Sequence, residues 1–254
     1  MKDRSYTASR EIWISGINPV REALRAGTPG IREMAAARTD QRTRELLEWG
    51  RSKGIPVREM TRDALTALVG HAHHQGVALR TGEYPYASIE ALLERPAAER
   101  EPLIVLDCIQ DPQNLGAILR SACFLGARGI VIPKDRSAQI TAAAIKVAAG
   151  ATSYLPVVQT VNLARSLELM KDAGLWIVGL DLEGDRSIYE ADLSMPLALV
   201  IGNEQKGMRP LVRKHCDLLV KIPARGPLQS LNAAAAGAVA LAEVQRRRAV
   251  TPGS

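Results

Sequence analysis

Five polar residues interrupt apolar stretches of this chain in places where they could do chemistry. Asn114 and Arg120 lie in DPQNLGAILR, Glu204 lies in GNEQKG, and Ser230 and Asn232 stand just before an Ala-rich run. An Arg within a largely apolar helix needs an anionic partner, either a protein carboxylate or a phosphate. Glu204, immediately after a buried strand, is the carboxylate best placed to pair with Arg120. Plainer roles exist for the others. Asn114 can cap its helix, GNEQKG can be an ordinary loop, and capping of the last helix would employ Ser230 or Asn232 but not both.

The common nucleotide and hydrolase signatures are missing. There is no GxGxxG after a first strand and no GxxxxGK[ST], HExxH or GxSxG. A nucleotide-like ligand would therefore be held by neither a standard Rossmann turn nor a P-loop. His71, His73 and His74 cluster in HAHHQG, but no Cys or carboxylate stands nearby at ligand spacing. We read this stretch as a polar turn, with RNA contacts as a further use, and expect no metal. Cys108, Cys123 and Cys216 are widely spaced in apolar surroundings, as small buried residues in a reducing compartment would be.

Two apolar runs carry the polar loops. Leu197–Ile201 stops at Gly202, Asn203 and Glu204, and Leu218–Ile222 is closed by Pro223 and leads to the Ala-rich helix. Both read as buried strands. In open α/β sheets ligands lie beyond the carboxyl ends of the strands, and a helix N-terminus there offers free N–H groups. The active site is expected at this place. Upstream, strands at Leu103–Asp107, Gly129–Ile132, Tyr154–Val158 and Leu175–Leu180 alternate with helices at Asn114–Leu125, Ala138–Ala149 and Leu163–Ala173. That alternation predicts a mostly parallel sheet covered on both faces.

The N-terminal part reads as a separate small α/β unit. Its strands are Glu11–Ser15, Ile31–Ala37, Pro56–Met60 and Gly76–Arg80. Its helices are one begun by Asn18 and Pro19 and ended at Gly27, one over Asp40–Lys53, and one capped by Thr61 and running to Val69. We divide the chain into a tail (1–11), a small domain (12–84), a linker (85–101), a large domain (102–248) and a C-terminal tail (249–254).

The 254 residues comprise 46% hydrophobic but only 4% aromatic residues, so the core is built from Ala, Val, Leu and Ile. The net charge of +6 suits an anionic partner without proving one. The excess is concentrated early: residues 1–62 carry 13 basic and 8 acidic side chains. No secretory signal or membrane-length apolar run is present, and a soluble, cytoplasmic protein with no membrane partner is expected.

NLGAILR, VIGNEQKGM and IPARGPLQSLNAAAAGAVAL resemble the three motifs of the SpoU (TrmH) family of SPOUT RNA 2′-O-methyltransferases. The resemblance covers about Leu103 to Val244 and is most specific in the third motif. The small domain, ending HHQGVAL, resembles the substrate-binding domain of the RlmB-type subfamily, which methylates a guanosine ribose in the P loop of 23S ribosomal RNA. The resemblance implies a trefoil-knotted parallel sheet with helices on both faces, an N-terminal domain like ribosomal protein L30e, and a homodimer that completes the site. It implies S-adenosylmethionine (SAM) as methyl donor, held by backbone groups at Leu180, Gly202, Asn203, Gly207, Ile222, Pro223 and Leu231. The family's catalytic residues fall on Asn114, Arg120, Glu204, Ser230 and Asn232. Many relatives have GSE where this chain has GNE at Asn203.

Three readings of function remain open: a methyltransferase acting on ribosomal RNA, the same chemistry on transfer RNA, and a non-catalytic RNA-binding factor. The intact polar residues favour an enzyme, and the added N-terminal domain favours ribosomal RNA. A sulfonium donor needs no metal to activate it. Arg120 is the family's proposed base, yet a guanidinium is always protonated in proteins. Its expected role is therefore electrostatic, gripping a phosphate and stabilising a developing alkoxide, with Glu204 orienting it. The final helix is apolar on nearly every face, which predicts burial by a second subunit.

Overall fold

The computed structural model describes residues 11–28, 30–37, 40–94 and 101–250, with only the backbone of 249 and 250. The tails expected at 1–11 and 249–254 therefore lie almost wholly outside the described residues, as does part of the expected linker. The chain forms two compact units, one of residues 1–85 with Ile140–Ser153 and the other of Tyr86–Gln139 with Tyr154–Ser254.

The first unit has β1 (Ile12–Ser15), α1 (Ile17–Ala26), β2 (Ile31–Ala36), α2 (Gln41–Ser52), β3 (Val57–Glu59), α3 (Arg62–Val69) and β4 (Val77–Thr81). Its sheet runs in the order β1-β4-β2-β3, with β4 antiparallel to both neighbours and β2 parallel to β3. Val20, Leu24, Met34, Leu46 and Leu79 are among the side chains buried in this unit. Asp40 caps α2 by accepting from the Thr43 amide (2.9 Å), and Thr61 caps α3 by accepting from the Ala64 amide (3.2 Å). The start of α1 corrects the sequence reading. The helix begins at Ile17, so Asn18 lies inside its first turn, and Gln75 Oε1 accepts the Ile17 N–H at 2.8 Å. A residue from the HAHHQG stretch thus does the work expected of Asn18. His74 is fully buried there, bonded to Thr66 Oγ1 (3.1 Å) and the Gly76 amide (3.0 Å), and its pKa is lowered chiefly by burial. A neutral, structural imidazole results.

The second unit begins at α4 (Ile89–Glu94), inside the stretch read as linker. Leu92 is fully buried there in the core beside Leu103 and Val158. Next come β5 (Leu103–Leu106), α5 (Pro112–Phe124) and β6 (Gly129–Pro133). α6 (Ala142–Ala148) and a short 3-10 turn follow and pack with the first unit, α6 against β1. The remaining elements are β7 (Val157–Thr160), α7 (Leu163–Asp172), β8 (Trp176–Leu180), β9 (Arg186–Ser187), β10 (Leu197–Ile201), α8 (Pro210–His215), β11 (Leu218–Lys221) and α9 (Ala233–Val250).

The seven strands are all parallel, ordered β7-β6-β5-β10-β8-β11-β9. β5, β6 and β10 are buried along their whole length, as expected for a sheet covered on both faces. α4, α7 and α8 share one core with the sheet, and α9 packs on α5 and β10. A methyl group at Gly237 of α9 would stand 2.8 Å from Ile201 Cδ1, so helix and strand meet at that glycine. β10 lies between β5 and β8, and β11 between β8 and β9, all of which precede them in the chain. The expected knot calls for such interleaving. It also makes β8, β10 and β11 neighbours, so their carboxyl ends open together. Among the described residues no helix is long and apolar enough to cross a membrane.

Candidate active site

Three loops meet at the carboxyl ends of β8, β10 and β11. They enclose a cleft of about 780 Å³ lined by Leu180–Glu183, Ile201–Met208 and Ile222–Leu231. That size falls in the usual range for small-molecule sites. All seven positions expected to hold a cofactor lie on it: Leu180, Gly202, Asn203, Gly207, Ile222, Pro223 and Leu231. Ala233 and Ala236 of α9 form another wall.

The β10 loop is a tight hairpin. Asn203 and Gly207 exchange both backbone hydrogen bonds, at 3.0 and 2.9 Å, and Gly207 has a left-handed φ of 62°. Asn203 Oδ1 accepts the Gln205 and Lys206 amides at 3.0 and 3.2 Å, while its Nδ2 donates to the Cys108 carbonyl at 3.1 Å. Asn203, where many members of the family it resembles have Ser, thus closes the turn and ties it to the end of β5 at once. The hairpin itself demands a glycine at Gly202. A Cβ there would stand 2.5 Å from Gly207 C and 2.6 Å from Met208 N. Gly202→Val would break the hairpin before it filled any ligand space.

Glu204 sits at the tip of this hairpin, where its Oε1 accepts three N–H groups. They come from Asn114 Nδ2 (2.7 Å), Asn232 Nδ2 (2.7 Å) and the Ala233 amide (3.0 Å). Asn232 also donates to Asn114 Oδ1 at 2.8 Å. Its own Oδ1 accepts the Ala234 and Ala235 amides at 3.0 and 3.3 Å, which caps α9. A carboxylate at a helix N-terminus is favoured by the dipole and by charge-assisted bonds. Asn114 is free to join because Asp111 is the cap of α5, accepting from the Gln113 amide at 2.9 Å, with Pro112 fixing the first turn. Glu204, Asn114 and Asn232 therefore bring all three sequence motifs together.

Arg120 does not join them, which corrects the expected Arg120–Glu204 pair. Six residues beyond Asn114 in a helix is about 9 Å along the axis and about 120° round it, so the two side chains leave α5 in different directions. Arg120 is exposed, makes no ion pair with another described residue, and does not line the cleft. Ser230 is exposed on the cleft wall and makes no capping bond among the described residues.

Sequence reasoning missed the charged groups that brace the cleft. Asp107 is completely buried at the end of β5 and accepts from the Arg209 amide and from Arg209 Nε, both at 2.7 Å. This pair anchors the far side of the β10 loop. Asp181 at the end of β8 accepts from Arg213 Nε at 3.0 Å and faces the same cleft. The available signal was an acid directly following a continuous apolar strand, since a buried carboxylate demands a partner. Among the described residues no group of three or more His, Cys, Asp or Glu could hold a metal.

Comparison with known proteins agrees with this geometry. Residues 101–242 match the SpoU rRNA Methylase family, and residues 13–87 match a domain described as RNA 2′-O ribose methyltransferase substrate binding. A protein of Mycolicibacterium vanbaalenii named an uncharacterized tRNA/rRNA methyltransferase is 43% identical over 239 residues, 92% of this chain and 76% of its own length. A Mycolicibacterium smegmatis protein with a similar name is 44% identical over the same shares. The fold is similar to that of the SpoU methyltransferase AviRb from Streptomyces viridochromogenes, crystallised in complex with AdoMet. The TM-score is 0.83 at 28% identity, over 98% of this chain and 95% of that one. With motifs, topology and sequence in agreement over most of its length, the chain belongs to the SpoU rRNA Methylase family.

Proposed function

We propose that this protein transfers a methyl group from S-adenosylmethionine to the 2′-oxygen of a ribose in 23S ribosomal RNA, with a guanosine of the P loop as target. The observation that carries this reading is the Asn114–Glu204–Asn232 cluster beside a cleft walled by the three family motifs. The cleft fits the donor: its walls are turns rich in main-chain groups, with Ala233 and Ala236 presenting small apolar surface. When bound, SAM supplies an electrophilic methyl on its sulfonium. The chain's own task is then to hold the loops, place the ribose and make its hydroxyl a better nucleophile.

Glu204 and the two asparagines fix the β10 hairpin against the N-termini of α5 and α9. In this reading Glu204 sets the shape of the site rather than orienting Arg120. Arg120, permanently charged, holds the phosphate next to the target ribose and stabilises the negative charge that grows on the oxygen as its proton passes to solvent water. Within one chain Arg120 does not line the cleft, so the reading includes a homodimer in which a second copy brings its Arg120 to the site. The exposed Leu228 and Leu231 beside the cleft suit such cover. The N-terminal unit selects the RNA, and the enzyme works in the cytoplasm.

The test is mass spectrometry of nucleosides from separated 23S ribosomal RNA and transfer RNA, from cells with and without the gene. Loss of one 2′-O-methylguanosine from the 23S fraction alone is the expected result. Loss from the transfer RNA fraction moves the substrate to that class. No loss from either overturns the reading.

A further inference from the structure

The first unit carries a second large concavity, of about 1040 Å³, lined by no residue of the three motifs. Its lining brings together the first turns of α1, α2 and α3, the HAHHQG turn and one side of α6. Four basic side chains line it: Arg42 of α2, Arg62 of α3, His73 of the turn and Lys146 of α6. Arg42, Arg62 and Lys146 are exposed, and none of the three makes a hydrogen bond or ion pair with another described residue. The one acidic residue in the lining, Asp40, turns its carboxylate to the Thr43 amide. The amides of Gln41 and Arg42 open the α2 helix without an acceptor among the described residues, as first-turn amides do. The field in the groove is felt nearby. The pKa of His71 is lowered by burial, then by Lys146 and His73.

We infer that this groove binds the sugar–phosphate backbone of the RNA substrate, through Arg42, Arg62 and Lys146. The inference rests on the RNA-methyltransferase reading and assigns its RNA grip to a particular surface. Several cations spread along an open groove, with helix N-termini between them, match a chain of phosphates better than one small anion. No Phe, Tyr or Trp is among the residues that line it, and its exposed cations suit phosphates, so we assign it the backbone of the RNA. Lys146 matters most here. It lies within the stretch that matches the methylase family, residues 101–242, yet in space it belongs to the N-terminal unit. A single RNA-binding face is thus built from both parts of the sequence.

The experiment compares the full-length parent with the Arg42→Ala/Arg62→Ala/Lys146→Ala variant. The probe is a fluorescein-labelled single-stranded RNA of mixed sequence, whose binding is followed by anisotropy over a range of salt concentrations. Removing one cation from a phosphate should lower the slope of log affinity against log salt by about 0.7. The variant should therefore lose about 2 in slope and bind at least tenfold more weakly at low salt. A control variant, Arg25→Ala/Arg51→Ala/Lys53→Ala, removes the same charge from the opposite ends of α1 and α2 and should keep nearly the parental slope. SAM affinity by calorimetry should be the same in all three proteins. If the groove variant keeps the parental slope, or the control loses as much, the groove is not the RNA surface. That outcome leaves the methyltransferase reading intact, because its own test is the nucleoside analysis. Conversely, a protein that methylates nothing could still show the groove effect.

Discussion

Replacing Arg120 with alanine separates a catalytic arginine from a structural one, because the structure gives it no partner to lose. A buried Arg–Glu pair broken from one side costs about 3–5 kcal/mol. Arg120 is exposed and unpaired among the described residues, so Arg120→Ala should change stability by about 0.5 kcal/mol or less. In a chain of this size that is a shift of roughly 2 °C or less in thermal midpoint. The effect on chemistry should be far larger. Removing one preorganised contact to a developing oxyanion lowers turnover by about a hundredfold to a thousandfold, or about 2.7–4 kcal/mol. Arg120→Lys keeps the charge but loses the two-pronged grip on phosphate, and should recover only part of the rate.

The assay is single-turnover methyl incorporation with saturating RNA, beside SAM affinity by calorimetry and thermal melting of each variant. The expected pattern is a large fall in rate with normal melting and normal SAM binding. A parental rate in Arg120→Ala removes Arg120 from the chemistry. A fall in melting temperature of many degrees would mean that Arg120 has a structural partner, and the rate loss could no longer be assigned to the transition state.

Three further outcomes follow from the same geometry. Glu204→Gln keeps the shape of the acceptor but not its charge, so three bonds become neutral ones. In this partly solvated position the loss should be about 1–2 kcal/mol in urea unfolding, with weaker SAM binding as the hairpin loosens. Ala236→Leu should fill the cleft from α9 without backbone strain, since both residues favour helices; calorimetry should show SAM affinity down at least tenfold with melting unchanged, and unchanged affinity would move the site. Burial, aided by Asp217, pushes the Cys216 thiol from 9.0 up to about 12. Its folded pKa lies above the unfolded one, so the stability it contributes is complete below pH 9.0 and is lost as pH rises towards 12. Iodoacetamide at pH 8 should leave Cys216 unmodified until denaturant is added, as read by peptide mass spectrometry.

Much of the scaffold is legible in the sequence because it rests on uninterrupted apolar runs. Leu197–Ile201 reads with the bounds it has, since a strand buried on both faces needs no alternation and Gly202 ends it. The short elements leave no such trace. β9 has two residues and α8 has six, too few for any period to show. Helix starts are hard to place where two candidate caps compete. Asp111 takes the cap of α5 because Pro112 can only follow it at the first helical position, which leaves Asn114 free. In α1 the acceptor at the N-terminus comes from Gln75, distant in sequence, and no local pattern reveals that.

The site residues themselves divide by the same logic. Glu204, Asn114 and Asn232 can be paired only once the strand order is known, because β10 must lie beside β5 to bring its loop to α5. Arg120 is the opposite case. Once Asn114 is known to meet Glu204, helical geometry sets Arg120 apart, since position i+6 does not share a face with position i. An anionic partner within the chain would be needed only if Arg120 were buried. The apolar residues of α5 that face the core are Leu115, Ile118, Leu119 and Ala122, and Arg120 lies outside that stripe. An arginine on an exposed helix face, outside the lining of its own cleft, fits the proposed dimer in which a second copy completes the site. An Arg120→Ala protein, with its cleft and dimer interface intact, should accordingly bind SAM and fail to transfer its methyl. Adding back a partner whose own cleft is blocked by Ala236→Leu, but whose Arg120 is intact, should restore transfer. If that mixture stays inactive while the Ala236→Leu protein still forms dimers, Arg120 acts within its own subunit or not at all.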